Sequence, residues 1–155
     1  MRAVLVVSCL AACGDNAATP LPDAGPASFA VTVAPNPIQE EPCGGCGPVT
    51  GQLWAVGMMT VTESAGVAGS VDAIGMRLTG ASSQVIAEGS FDAAAVRALA
   101  GSNRVPAHGT LAIPHVGPHY DEAAGGNPAT LRFTVDLVDD GGHAAQKIVD
   151  VPVTP

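Results

Sequence analysis

The chain has 155 residues, enough for one domain, and its 13% charged against 47% hydrophobic residues excludes a charge-rich disordered polymer. Lys plus Arg number 6 against 14 Asp plus Glu, for a formal net charge of -8, and no basic cluster is present to meet a phosphate backbone, which argues against a nucleic-acid partner. Aromatic residues are only 3%, so a core must be assembled from Val, Leu, Ile, Met and Ala, with the single Trp54 expected as its central plug.

Met1-Arg2 and the apolar run from Ala3 to Ala12 give a basic start and a stretch well short of the roughly 20 residues a membrane span needs, the pattern of a secretion signal. The run ends in Leu10-Ala11-Ala12-Cys13, which resembles the lipobox of bacterial lipoproteins: an aliphatic residue, two small residues and a cysteine. The resemblance implies that residues 1–12 are a signal peptide removed on export, that Cys13 is acylated, and that the protein is lipid-anchored in the cell envelope. Val6-Val7-Ser8-Cys9 has the same form but leaves too little apolar chain ahead of the cut. A buried amino-terminal strand is the competing reading, and the abrupt polar, Pro-rich sequence after Cys13 argues against it.

Residues 13–27 then read as the lipidated cysteine followed by a linker, GDNAATPLPDAGPA, with no periodicity. As a spacer it could hold the next segment up to roughly 50 Å from the bilayer.

Residues 28–155 read as a β-domain. Phe29, Val31 and Val33 alternate with small or polar residues until Pro35-Asn36-Pro37 ends the strand. Cys43-Gly44-Gly45-Cys46 follows in a loop, and with Cys9 removed and Cys13 acylated these are the remaining thiols, so a disulfide between Cys43 and Cys46 is the plain reading for an exported protein. A redox role would want a helix start at the first cysteine, and a structural zinc site would want two further ligands at finger spacing.

Strands are expected over Gln52 to Thr62, Val71 to Thr79 and Gln84 to Gly89; apolar parity breaks at Met58-Met59 and Ala73-Ile74, which bulges or burial on both faces would explain. The helical signal is short: Asp92 caps, Phe91 staples onto Val96, and Gly101 stops the turn. After a strand over Thr110 to Ile113 comes HVGPHYDEAAGGNP, where His115, His119, Asp121 and Glu122 could gather around a metal. The plainer reading is an exposed connection with Tyr120 folded over the edge, His108 and His143 being surface residues. Leu131, Phe133, Val135 and Leu137 mark the clearest strand, and Asp139-Asp140-Gly141-Gly142 turns it back into Val149, Val151 and Val153. Asp136, Asp139 and Asp140 suggest calcium, although their spacing is not that of an EF-hand.

About seven short strands between Gly, Pro, Asn and Asp clusters predict an all-β fold, a two-sheet antiparallel sandwich with one short helical crossover. The segments VTVAPNP, SFDAAAVRALAGSN and LRFTVDLVDDGG resemble the immunoglobulin-like or fibronectin-like modules of bacterial envelope proteins. The cysteine pair and intervening Trp of antibody domains are missing, and a barrel is the structural alternative. No nucleophile elbow, P-loop or HExxH motif is present, so no catalytic residue, metal or cofactor is expected and the protein reads as a non-enzyme. The expected function is a lipid-anchored envelope module that meets the membrane through its anchor and an envelope protein or polysaccharide through its loops. The alternative is metal-ion or small-ligand binding by the His115 to Glu122 loop.

Overall fold

The computed structural model describes residues 25–44 and 52–155. The lipobox, Cys13, most of the linker and Cys46 lie outside the described residues. In chain order the elements are β1 (Phe29–Ala34), β2 (Ile38–Gln39), β3 (Glu41–Pro42), β4 (Gln52–Trp54), β5 (Gly57–Glu63), β6 (Gly69–Gly80), β7 (Val85–Asp92), α1 (Ala93–Ala100), β8 (Arg104–Val105), β9 (Thr110–Val116), β10 (His119–Asp121), a 3-10 turn (Glu122–Ala124), β11 (Ala129–Asp139) and β12 (Ala144–Thr154).

The described strands form three sheets: β1-β5-β9, β10-β4-β3, and a large one ordered β2-β12-β11-β6-β7 with β8 also on β6. Among the described residues the fold is therefore mostly β with one short helix, as the alternation predicts, but it is not a plain two-sheet sandwich. The difference originates where Gln52 to Thr62, expected as one strand, breaks at Ala55-Val56. Ala55 is fully buried and its N–H donates to Pro118 O at 3.1 Å, which diverts Gln52–Trp54 into a separate sheet with β10 and β3.

Alternation decides which side chains form the core. In β11 every second residue from Ala129 to Asp139 is buried, and Leu131, Phe133 and Val135 are fully so. Met59, Val61, Leu111 and Ile113 of the β1-β5-β9 sheet belong to the same buried cluster. Trp54 is only half-buried, in the short strand β4, and is not the central plug. Phe133, at 0% exposure, is the largest fully buried side chain, and burial of such a side chain contributes about 2 kcal/mol.

The helix forms as its caps dictate. Asp92 accepts from Ala95 N–H at 2.8 Å, Val96 is the buried residue, and Gly101 at φ 75 donates to Arg97 O at 2.9 Å. The β11–β12 hairpin also follows the pattern, with Leu131 opposite Val151 and Phe133 opposite Val149. Of the two expected bulges, the one before Ala73-Ile74 is present: Asp136 pairs with Ala73 but Leu137 with Val71, leaving Asp72 as the extra residue. The other sits on the partner strand. Gly57 pairs with Val116 and Met59 with Ile113, so the surplus residue lies at Pro114-His115, where His115 has φ 54, and Met58 is simply an exposed apolar residue of a regularly alternating β5.

Candidate ligand-binding hollow

The His115 to Glu122 segment is largely strand, not open loop. His115 ends the bulged part of β9, while His119, Tyr120 and Asp121 form β10, which pairs with β4 so that His119 lies opposite Trp54. Alternation sends Tyr120 inward, where it is 5% exposed and donates its hydroxyl to Glu40 Oε1 at 2.8 Å. Burial, with the Glu40 carboxylate beside it, pushes the phenol well above its usual range.

The four candidate metal ligands do not converge. Asp121 turns back to accept from Ala123 N–H at 2.9 Å, Glu122 starts the 3-10 turn, and among the described residues no three His, Cys, Asp or Glu side chains form a group that could hold a metal. Asp136, Asp139 and Asp140 disperse in the same way: Gln146 donates to Asp136, Arg104 to Asp140, and Asp139 points into the body.

His115 and His119 instead share the lining of a hollow of ≈ 330 Å³ with Trp54, Val56, Phe91, Leu99 and Gly117. Five elements meet there: β4 supplies the indole, β7 and α1 supply Phe91 and Leu99, the bulge in β9 places His115, and β10 supplies His119. The wall is apolar and the polar groups are two imidazoles, which is the usual composition of a small-ligand pocket. A ligand with an apolar face and a hydrogen-bonding edge suits it.

Two buried carboxylates lie outside the hollow: Glu63, which no sequence pattern marks as a site, and Asp139, which the sequence offers only as one of three carboxylates for calcium. Glu63, 1% exposed, accepts backbone N–H groups from Ser28 at 3.2 Å, Ala65 at 2.6 Å, Gly66 at 2.9 Å and His108 at 2.9 Å. Burial alone would raise its pKa, but the four donors outweigh it and hold the group at about 2. Asp139, 3% exposed, accepts from Ala27 N–H at 3.0 Å and His143 N–H at 2.8 Å, with His143 Nδ1 3.0 Å from its Oδ2. The Ala27 and His143 donors, helped by the imidazole, bring it to about 2 despite burial. His143 is thus exposed at its ring yet fastened to the hairpin, while His108 is an exposed residue whose backbone is held by Glu63.

No protein-family model matches the sequence. No curated protein matches it either. Among solved structures, the chain is similar to a Bordetella pertussis protein designated ApaA, with a TM-score of 0.59 and 16% identity over 83% of this chain and 94% of that one. It is also similar to the structural-genomics target SoR45, with a TM-score of 0.56 and 10% identity over 85% of this chain and 89% of the other. At such identities the likeness concerns the fold.

Proposed function

We propose that this protein is a lipid-anchored component of the cell envelope that presents its β body as a binding or structural module. The Leu10-Ala11-Ala12-Cys13 sequence carries this reading. The attachment of the body's first strand supports it: Ala27 and Ser28, the residues ahead of β1, are each held through their backbone N–H by a buried carboxylate, Asp139 and Glu63. A body fastened at that point suits a tether entering there. In this reading the large sheet and the β1-β5-β9 sheet are the two layers of an immunoglobulin-like sandwich, and β10-β4-β3 is an addition to it.

A disulfide between Cys43 and Cys46 belongs to the same proposal. It is supported by the closure of the loop that would contain it, since Cys43 N–H donates to Gln52 O at 2.8 Å and Pro42 lies opposite Leu53. The intact mass of the protein from the native membrane fraction tests both points. The expected mass begins at Cys13 with acyl groups attached, and rises by two hydrogens on reduction. A full chain retaining Met1, or a cleaved chain without lipid, overturns the anchor; an unchanged mass on reduction overturns the disulfide.

A second reading, small-ligand binding, is favoured by the Trp54 hollow. Trp54 is the only tryptophan, so its emission reports on the hollow alone. Titration with phenyl β-glucoside, a ring system with an apolar face and a hydroxylated edge, is expected to change that emission saturably, with His119→Ala weakening the response by roughly tenfold. Emission that stays constant throughout the titration removes this reading.

A further inference from the structure

On the outward face of the large sheet, the register aligns Glu88, Arg77, Arg132 and Asp150 in a single row. The order is acid, base, base, acid, so two arginines are direct cross-strand neighbours. Like charges in that relation are destabilising unless something compensates them, and alternating signs along the row would have avoided the problem. The compensation comes from the flanks. Arg132 donates from Nε and Nη2 to the two carboxylate oxygens of Asp150 at 2.7 and 2.8 Å, and Arg77 Nε lies 3.3 Å from Glu88 Oε1. Neither contact uses Nη1, and both arginine side chains are more than half exposed.

The neighbouring row on the same face is Ser90, Gly75 and Thr134. Gly75 leaves a gap at its centre: a Cβ built there would meet only Thr134 Cβ and O, each at 3.8 Å. The result is a depression of ≈ 590 Å³ whose lining includes both arginines, Gly75, the hydroxyl-bearing Ser90 and Thr134, and Glu88, the ion-pair partner of Arg77. The chain has 6 Lys and Arg in all and a net charge of -8, so its overall field repels anions and the attraction at this point must be local.

We propose that the Gly75 depression is a binding site for an oxyanion, a phosphate or carboxylate group, bridged by Arg77 and Arg132 and bounded by the Ser90 and Thr134 side chains. A planar guanidinium matches such groups in charge and shape, and an anion between the pair converts their repulsion into two charge-assisted contacts. The acidic partners on the flanks orient each fork and keep the empty site from repelling itself.

The site is tested by calorimetric and NMR titration of the folded protein, at low ionic strength, with inorganic phosphate and separately with galacturonate. Saturable binding of either probe, with shifts of the Arg77 and Arg132 side-chain resonances, is the expected result, and the probe that binds tells which oxyanion the site prefers. Arg77→Gln and Arg132→Gln are each expected to weaken binding at least about tenfold. Gly75→Val keeps both arginines but fills the depression; it is expected to abolish binding while melting at or above the wild-type temperature, because a β-branched residue suits a strand interior. Absence of saturation with both probes, or undiminished affinity in Gly75→Val, overturns the proposal.

Discussion

Replacing Glu63 with Gln is expected to lower the melting temperature by about 10 °C at neutral pH and to remove part of the acid sensitivity of folding. The carboxylate accepts four backbone N–H groups from three separate stretches of chain, before β1, after β5 and ahead of β9. Gln has the same size, but its single carbonyl oxygen cannot satisfy donors on both sides, and its NH2 group faces N–H donors instead of acceptors. In the wild type the group stays ionised down to about pH 2, from an ordinary value of 4.5. Its stabilising contribution is therefore complete above pH 4.5 and is lost as the pH falls through about 2. Thermal melts of both proteins from pH 7 to pH 2 check this: the gap should be widest at neutral pH and narrow at the acid end. Equal melting temperatures at pH 7 would show that the network contributes nothing.

Gly117→Ala is expected to be the most damaging of the single glycine substitutions near the hollow, with loss of the folded state or a fall of more than about 10 °C in melting temperature. A Cβ at this position would stand 1.9 Å from Ala55 O and 2.8 Å from Val56 Cα, which is backbone and cannot swing aside. The two segments are already tied by Ala55 N–H to Pro118 O, so forcing them apart also disrupts the link between β4 and β10. Gly101→Ala is the useful contrast. Nothing lies within 4 Å of its Cβ position, and only the left-handed backbone at φ 75 opposes the change, which costs about 1 kcal/mol. Calorimetric melts of the two variants should differ severalfold in their shift, and similar shifts would show that the backbone approach at Gly117 is not tight.

The longer strands, the capped helix and the β11–β12 turn were legible because each is specified locally, by alternation or by a capping residue. The break at Ala55-Val56 was not, since it depends on a contact with Pro118 that no local pattern announces. The same contact explains why Trp54 left the core. The hollow combines residues from five elements and cannot be read without their packing, although the sequence does mark His115 and His119 as polar residues of one segment. Glu63 and Asp139 did leave a trace. Glu63 falls in phase with Met59 and Val61, and Asp139 in phase with Phe133, Val135 and Leu137 on the inward side of its strand, so a carboxylate at either position signals buried donors. At Asp139 the turn signal of Asp139-Asp140-Gly141-Gly142 masks this trace, because a hairpin turn accounts for a carboxylate without burial.

The parallel pairing of β2 with the end of β12 also has a bearing on when the protein can fold. Thr154 Oγ1 donates to Ile38 O, a contact between residues 116 apart, and Val153 lies beside the fully buried Ile38. The large sheet cannot acquire that strand until almost the whole body has been delivered. Such distant pairing slows the search for the native state relative to pairing between strands that are neighbours in sequence. Until β12 docks, β2 has no partner in the large sheet, so the closing of this edge and the docking of β12 are one event, and a change that weakens either strand is felt at both.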